Sequence, residues 1–323
     1  MANMSFGKQE GTPAQTASYR VPKGDEITVC HVIGTCEYCA DTVEALEDLI
    51  RDTVDEGFKS KINMMGQQEA FHDITAKAIR VLVTGLENRL EEPLKLMMSI
   101  DWAVFEEVGE ESDYVRYMHK EIQPYITVAR GLIPTSYFRS VCDKFALSFT
   151  NAYYNTLTTR VKKISEPGTQ QLLLDVYNLK TLFLKLPVLE KAESTLTSAS
   201  RKGPAKSTIA PAMYTKMVQK QFKRIEVLLK VAGAPPALLI DIFKAHWVGG
   251  TALDLQTAMS LKGMKRTDQA VMLERFGLDK RTSRKAATMN VTSSTIVTER
   301  LQAVNSDLNQ MRQKVDDFRK SFR

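Results

Sequence analysis

Long apolar runs are absent from this 323-residue sequence. No stretch reaches the roughly 18 to 20 apolar residues that a helix needs to cross a bilayer. The opening residues, MANMSFGKQEGTPAQ, contain no apolar segment of the kind found in signal peptides. We therefore expect a protein that is made and kept in the cytosol.

Cysteine and histidine are scarce, with four residues of each. Cys36 and Cys39 form a CxxC motif with Cys30 and His31 nearby, an arrangement that can bind zinc or exchange disulfides. However, the sequence offers no second pair of ligands, and the motif lies within a helical pattern and not at a strand-to-helix junction. We interpret the cysteines, including Cys142, as reduced packing residues and predict no metal site.

Catalytic and nucleotide-binding signatures are also missing. The patterns GxxxxGK[ST], GxGxxG, HExxH and GxSxG do not occur. The histidines are scattered, and none lies in a motif with a nucleophile or a carboxylate pair; they are His31, His72, His119 and His246. The sequence therefore predicts no catalytic residue, no cofactor and no small-molecule substrate.

Alternating strand patterns are absent, and helical patterns take their place. Apolar residues recur every three or four positions, and prolines such as Pro93 and Pro134 interrupt the segments. Polar residues suited to capping stand at several predicted starts, among them Ser112 and Thr267. We predict an all-α protein built of tandem helical bundles, with a C-terminal heptad helix.

One stretch, residues 168–187, is apolar around most of its circumference. Thr169 is placed to cap its start, and Pro187 is placed to end it. Its apolar face consists of Leu172, Val176, Leu179, Leu182, Phe183 and Leu186, widened by Leu173 and Leu174. A helix of this kind has to be surrounded by others, so we expect it at the centre of a bundle.

Composition divides the chain into successive segments. The predicted segments are a disordered lead-in at 1–24, a first bundle at 25–165, a second bundle at 166–278 with a loop at 193–211, a linker at 279–295, and a short coiled-coil helix at 296–323. The seam of the last helix alternates steps of three and four and comprises Leu301, Val304, Leu308, Met311, Val315 and Phe318. A lone helix of this length is marginal in water, so it either binds a partner or folds back on its own bundle.

Charge is distributed unevenly along the chain. The overall net charge is +6, but residues 1–200 sum to −7 and residues 201–323 sum to +13. A helix predicted over Met213–Ala232 carries outward cations at Lys216, Lys220, Lys223 and Arg224. They form either a solvated face or a contact for an acidic protein or an anionic membrane. Nucleic acid is not a predicted partner, because Phe222 is the single aromatic residue among them and no groove-reading motif is present.

A second group of cations lies at a predicted turn between two helices. Lys262, Lys265 and Arg266 surround Gly263, which suits the left-handed residue after a helix. The loop either connects two helices or presents charge to a partner on rigid supports. We name these three cations as further contact candidates.

Several stretches resemble, in the same order, the C-terminal half of the vacuolar protein sorting-associated protein 53 family. They are EYC at 37–39, KFALSF at 144–149, QLLLD at 171–175 with the closing LP at 186–187, YTKMVQKQFKRIEVLLKV at 214–231, and LKGMKRTDQAVMLERF at 261–276. Each motif alone is weak, and the specificity of the resemblance comes from their common order.

The resemblance implies tandem helical bundles of the multisubunit tethering complex type and a non-enzymatic subunit of a vesicle-tethering complex. Members of this family belong to the Golgi-associated retrograde protein complex and a related endosomal recycling assembly. The implied partners are other tethering subunits, with SNAREs, small GTPases or anionic membrane as further candidates. The implied location is the cytosolic face of the trans-Golgi network and endosomes, as a peripheral membrane protein. The alternative is a helical interaction or membrane-binding module outside that complex.

The resemblance begins near the middle of the family's sequence. In the family, the N-terminal half supplies the coiled coil that joins the other subunits. The chain is therefore a fragment, a truncated gene model or a protein that has lost the assembly region. In the last case, the segment at 296–323 is a hypothetical substitute docking point.

Overall fold

The computed structural model describes residues 24–188, 210–247 and 250–276, which form helices and loops without a strand. The helices are α1 (Asp25–Thr53), α2 (Glu56–Lys59), α3 (Met65–Arg89), α4 (Glu91–Ser99), α5 (Asp113–Leu132), α6 (Thr135–Arg160), α7 (Glu166–Lys185), α8 (Ala212–Gly233), α9 (Leu239–His246), α10 (Ala252–Leu261) and α11 (Arg266–Arg275). A 3₁₀ turn at Leu186–Val188 follows α7. The predicted all-α class is confirmed.

The chain divides into two compact units, Met1–Gly233 and Ala234–Arg323. The first contains α1 to α8, and the second contains α9 to α11. The predicted bundles at 25–165 and 166–278 divide the chain differently and stay a prediction. The predicted linker and heptad helix lie outside the described residues, as does nearly all of the predicted lead-in.

The first unit begins with α1 and α3, which pack along each other. Their inner halves supply buried side chains such as Ile33 and Leu82, whereas no residue between 41 and 74 is buried. The inner end is fixed by an ion pair in which Arg89 lies 2.9 Å from Glu26. The acidic outer half of this hairpin is therefore held mainly by its own two helices.

One predicted helix cap differs from the observed one. Pro93 is expected to interrupt the helical pattern; α3 ends before it, at Arg89, and Pro93 lies in the first turn of α4, where a missing N–H costs little. α7 is capped by Ser165, whose Oγ accepts a hydrogen bond from the Gly168 amide at 3.1 Å. The predicted cap at Thr169 is wrong, because its hydroxyl donates to the Ser165 carbonyl.

α7 contacts both α5 and α8, as expected for a helix near the centre of a bundle. The Phe183 ring lies 4.6 Å from Phe149 of α6 and 5.6 Å from Phe222 of α8, measured between ring centroids. α7 is not enclosed on all sides, however, since Tyr177 is 62% exposed. No helix among the described residues is both long and apolar enough to span a membrane.

Candidate binding surfaces

The outer face of α8 carries the first predicted group of cations. Lys216, Lys220, Lys223 and Arg224 are all exposed. Lys220 follows Lys216 by four positions, and Lys223 and Arg224 follow Lys220 by three and four, so the group lies on one side of the helix. The opposite side is apolar and buries nine residues, including Phe222. Because Phe222 is fully buried, it cannot stack on a nucleic-acid base.

Contacts to α7 hold α8 in this orientation. The hydroxyl of Tyr214 donates to the Phe183 carbonyl at 2.6 Å. Lys180 of α7 lies 2.9 Å from Glu226, so the acidic side chain on α8 has an internal partner. The outward surface of α8 is left with a strong excess of positive charge.

Arg224 differs from the three lysines because the structure gives it a neighbour. Its guanidinium carbon lies 3.9 Å from the centre of the Tyr154 ring of α6, within the range of a cation–π interaction. Arg224 therefore helps to join α6 to α8. Its predicted role in partner contact stays a prediction, as it does for the three lysines.

Next to this face, α6 and α8 enclose a groove of about 330 Å³. It is lined by Arg139, Asp143, Leu147, Pro187, Pro211, Met213, Tyr214 and Met217. The sequence analysis did not identify this groove, in which Met217 is half-buried and Met213 is 80% exposed. Two methionines about one helical turn apart were the signal that the sequence offered.

A polar network fixes the loop before α5 against α7, and the sequence did not reveal it. The buried carboxylate of Asp175 accepts hydrogen bonds from the Ser112 amide at 3.0 Å, the Ser112 hydroxyl at 2.7 Å and the Gln171 side chain at 3.2 Å. Gln171 also accepts from the Gly109 amide at 3.0 Å. Ser112 holds the predicted cap position of α5, but its hydroxyl serves Asp175 and makes no cap bond.

Burial is the largest influence on the Asp175 carboxyl and raises its pKa, although hydrogen bonds from Ser112, Tyr114 and Gln171 act in the opposite direction. The neighbouring hydroxyls of Tyr114 and Tyr153 lie 2.9 Å apart, and both residues are buried. These groups satisfy one another inside the protein. The network is therefore suited to holding the loop before α5 against α7.

The second predicted group of cations lies in the second unit, between α10 and α11. Gly263 has a φ of 76°, which confirms the left-handed position. Lys265 and Arg266 are exposed, and Lys262 is half-buried. The predicted cap at Thr267 is wrong, because α11 already begins at Arg266 with Lys265 at the cap position. Whether these cations contact a partner stays a prediction.

The cysteines behave as packing residues in the described structure. Cys30, Cys36 and Cys142 are buried, and Cys39 is half-buried. Burial raises the pKa of Cys30 to about 11 and also raises the pKa of Cys36 and Cys142. Such thiols remain protonated at neutral pH and are poor nucleophiles. Within the described ranges, no three metal-binding side chains converge.

The chain is similar in sequence to proteins of one family. The family described as "Vacuolar protein sorting-associated protein 53 C-terminus" matches residues 170–245. Vacuolar protein sorting-associated protein 53 A of Arabidopsis thaliana is 30% identical over 80% of this chain, and the Caenorhabditis elegans homolog is 24% identical over 80%. The chain spans 29% and 31% of the length of these two relatives.

A solved structure has a similar fold. The C-terminal domain of the exocyst subunit Sec6p matches with a TM-score of 0.55, covering 83% of this chain and 62% of that chain. The two sequences are 13% identical, so the likeness concerns the fold alone.

Proposed function

Since the chain is related to the C-terminal part of the vacuolar protein sorting-associated protein 53 family, we propose that it is a non-enzymatic subunit of a vesicle-tethering complex. The specific assembly is the Golgi-associated retrograde protein complex or its endosomal recycling counterpart. There it would act in retrograde transport from endosomes to the trans-Golgi network and in endosomal recycling. The observation that carries this proposal is the similarity to the Arabidopsis relative over 80% of the chain.

The fold is consistent with this role. Stacked helices provide long rigid surfaces, and the matched exocyst domain belongs to a subunit of another assembly. The buried polar groups of Asp175 and Gln171 on α7 are paired with loop residues. The proposed function is therefore binding and scaffolding on the cytosolic face of the trans-Golgi network and endosomes.

The proposed partners fall into two groups. Other tethering subunits would hold the chain in the complex, and SNAREs, small GTPases or anionic membrane would be met by exposed surfaces. The cations of α8 and the cations at 262–266 are the proposed contact residues. The segment at 296–323 is proposed as a further docking point for the other subunits.

Affinity purification tests the assignment to the complex. The tagged full chain, expressed in cells of its own source, should recover other tethering subunits, identified by mass spectrometry, and should colocalise with a trans-Golgi marker. Deletion of 296–323 should reduce the recovery if the heptad helix docks. A matched control replaces the exposed Tyr177, which is remote in sequence from that segment, with serine. Unchanged recovery after the deletion would refute the docking role of residues 296–323. If the intact chain recovers no tethering subunit, the assignment to a tethering complex is refuted.

The alternative is membrane binding outside that complex, and the lysines of α8 are what favours it. Charge attraction to anionic lipid is worth about 1 kcal/mol for each lysine near the surface and weakens with salt. If this alternative holds, the full chain binds vesicles containing phosphatidylserine. The binding is lost when Lys216, Lys220 and Lys223 are replaced by glutamate. Sedimentation with the vesicles at low and high salt measures the effect.

A further inference from the structure

We propose that the groove between α6 and α8 binds an acidic peptide segment that inserts one bulky apolar side chain. This inference deepens the proposed function, because it names the kind of partner that the basic face of α8 would take. It rests on the shape of the groove, on its apolar floor and on the charges along its edge.

The floor of the groove is apolar and adaptable. Leu147 of α6 is 38% exposed, and it faces the same groove as Met213 and Met217 of α8. Methionine side chains are flexible and polarisable, so they adjust to apolar side chains of different shape. The volume of about 330 Å³ lies at the lower end of the roughly 300–1,000 Å³ found for ligand sites. The groove is therefore sized for an anchor side chain and not for a large cofactor.

The two helices that form the groove are joined beside it. Two turns beyond Leu147 and Met217, Tyr154 and Arg224 meet in the cation–π contact, which ties α6 to α8. Because this contact fixes the two helices next to the groove, a ligand would bind between elements that are already held together.

The lysines of α8 add positive charge beside the groove. Lys216 follows Met213 by three positions, and Lys220 follows Met217 by three, so both lysines lie beside the floor on the same helix. Arg139 adds a third cation from α6, and Asp143 is the acidic residue of the lining. Burial raises the pKa of Asp143. The net positive edge favours acidic residues on either side of an apolar anchor.

A peptide fits this arrangement better than a membrane does. The apolar side chains of the groove lie on two different helices, so one protruding side chain can contact both at once. Binding to lipid would depend on the total charge of α8, including Lys230 near its C-terminal end. Binding of a peptide would depend on Lys216 and Lys220, which follow the groove residues Met213 and Met217 by three positions on α8.

Fluorescence anisotropy with the purified full chain tests the proposal. The probe is a labelled twelve-residue peptide of aspartate and glutamate around one Leu-Phe pair, and its control has serine in place of that pair. We expect the chain to bind the probe about tenfold or more tightly than the control. Lys216→Glu with Lys220→Glu should weaken probe binding at least about tenfold, while Lys230→Glu, exposed on the same helix, should change it less than about twofold.

Two further variants probe the floor and the acidic residue. Met213→Ser should weaken the binding of the probe without affecting folding, because Met213 is 80% exposed. Asp143→Asn should strengthen the binding of the probe, because a negative charge that repels the acidic peptide is removed. The proposal is overturned if the chain binds probe and control equally. It is also overturned if the Lys230 change weakens probe binding as much as the Lys216/Lys220 changes do, because the peptide would then respond to the total charge of α8 and not to the groove. Binding of phosphatidylserine vesicles without probe binding overturns it in favour of a membrane.

The same variants separate this inference from the assignment to a tethering complex. A Lys216/Lys220 variant that no longer binds the probe is tested for recovery of tethering subunits. If it still recovers them, the groove serves a partner other than those subunits. Probe binding by a chain that recovers no tethering subunit leaves the groove standing and refutes only the assignment. Absence of probe binding by the unmodified chain refutes the groove whatever is recovered.

Discussion

α7 and α8 pack against each other and bury nine residues each, yet they use polar residues in opposite ways. α7 buries Asp175, Gln171 and Thr169, which hydrogen-bond to loops and to the preceding turn. α8 buries apolar side chains and aromatic rings, and its cations point outward. The difference indicates that α7 organises the interior while α8 offers a surface.

Substitution of a buried aromatic residue of α7 should give the largest difference in stability between changes on α7 and changes on α8. Phe183→Ala removes a ring that stacks on Phe145 and Phe149 and leaves a cavity, so we expect a loss of about 3–5 kcal/mol in the free energy of unfolding. Met213→Ala on α8 is the matched change and should cost less than about 0.5 kcal/mol, because that side chain is exposed. Urea unfolding followed by circular dichroism measures both. Similar losses of unfolding free energy in the two variants would contradict the view that α7 organises the interior while α8 offers a surface.

A smaller effect is expected at the polar network of α7. Asp175→Ala removes the acceptor of the Ser112 amide and the Ser112 hydroxyl, which should cost about 1–3 kcal/mol. Asp175→Asn retains one acceptor oxygen and should cost less. Urea unfolding midpoints give the order, and an alanine variant as stable as the unmodified chain would show that the loop is held by other contacts.

The pH dependence of stability sharpens the role of Asp175. Its folded pKa lies above the ordinary value of 3.8, so the folded state binds the proton more tightly than the unfolded state. The stabilisation from this proton is fully present below 3.8 and is lost as the pH rises through the folded value. The free energy of unfolding of the unmodified chain, relative to Asp175→Asn, should therefore be larger at about pH 4 than at about pH 7. A constant difference would contradict the raised pKa.

The repetition of helices could be predicted from sequence because apolar spacing is a local property. Residues 168–187 were expected to form a helix, and α7 occupies Glu166–Lys185. Caps were harder, because Ser165 and Thr169 are both chemically suited and the backbone path decides which amide is accessible. Pro93 marked a real break but not its position, since proline is tolerated in a first turn.

The candidate surfaces were predictable only in part. The exposed lysines of α8 follow from helical spacing alone. The contact of Arg224 with Tyr154 and the hydrogen bonds of Ser112 to Asp175 join residues that are far apart in sequence. No local pattern encodes such pairs, because they depend on how α6, α7 and α8 pack together. The groove between α6 and α8 was missed for the same reason.

The most direct test of the contrast combines binding and stability in one variant. Lys216→Glu, Lys220→Glu and Lys223→Glu are introduced together, and Arg224 is kept because it contacts Tyr154. Binding of the acidic Leu-Phe peptide and urea unfolding are then measured on the same preparation. The account predicts that peptide binding is lost while the unfolding midpoint stays within error of the unmodified chain. Retained binding, or a loss of stability comparable to that of Phe183→Ala, would contradict it.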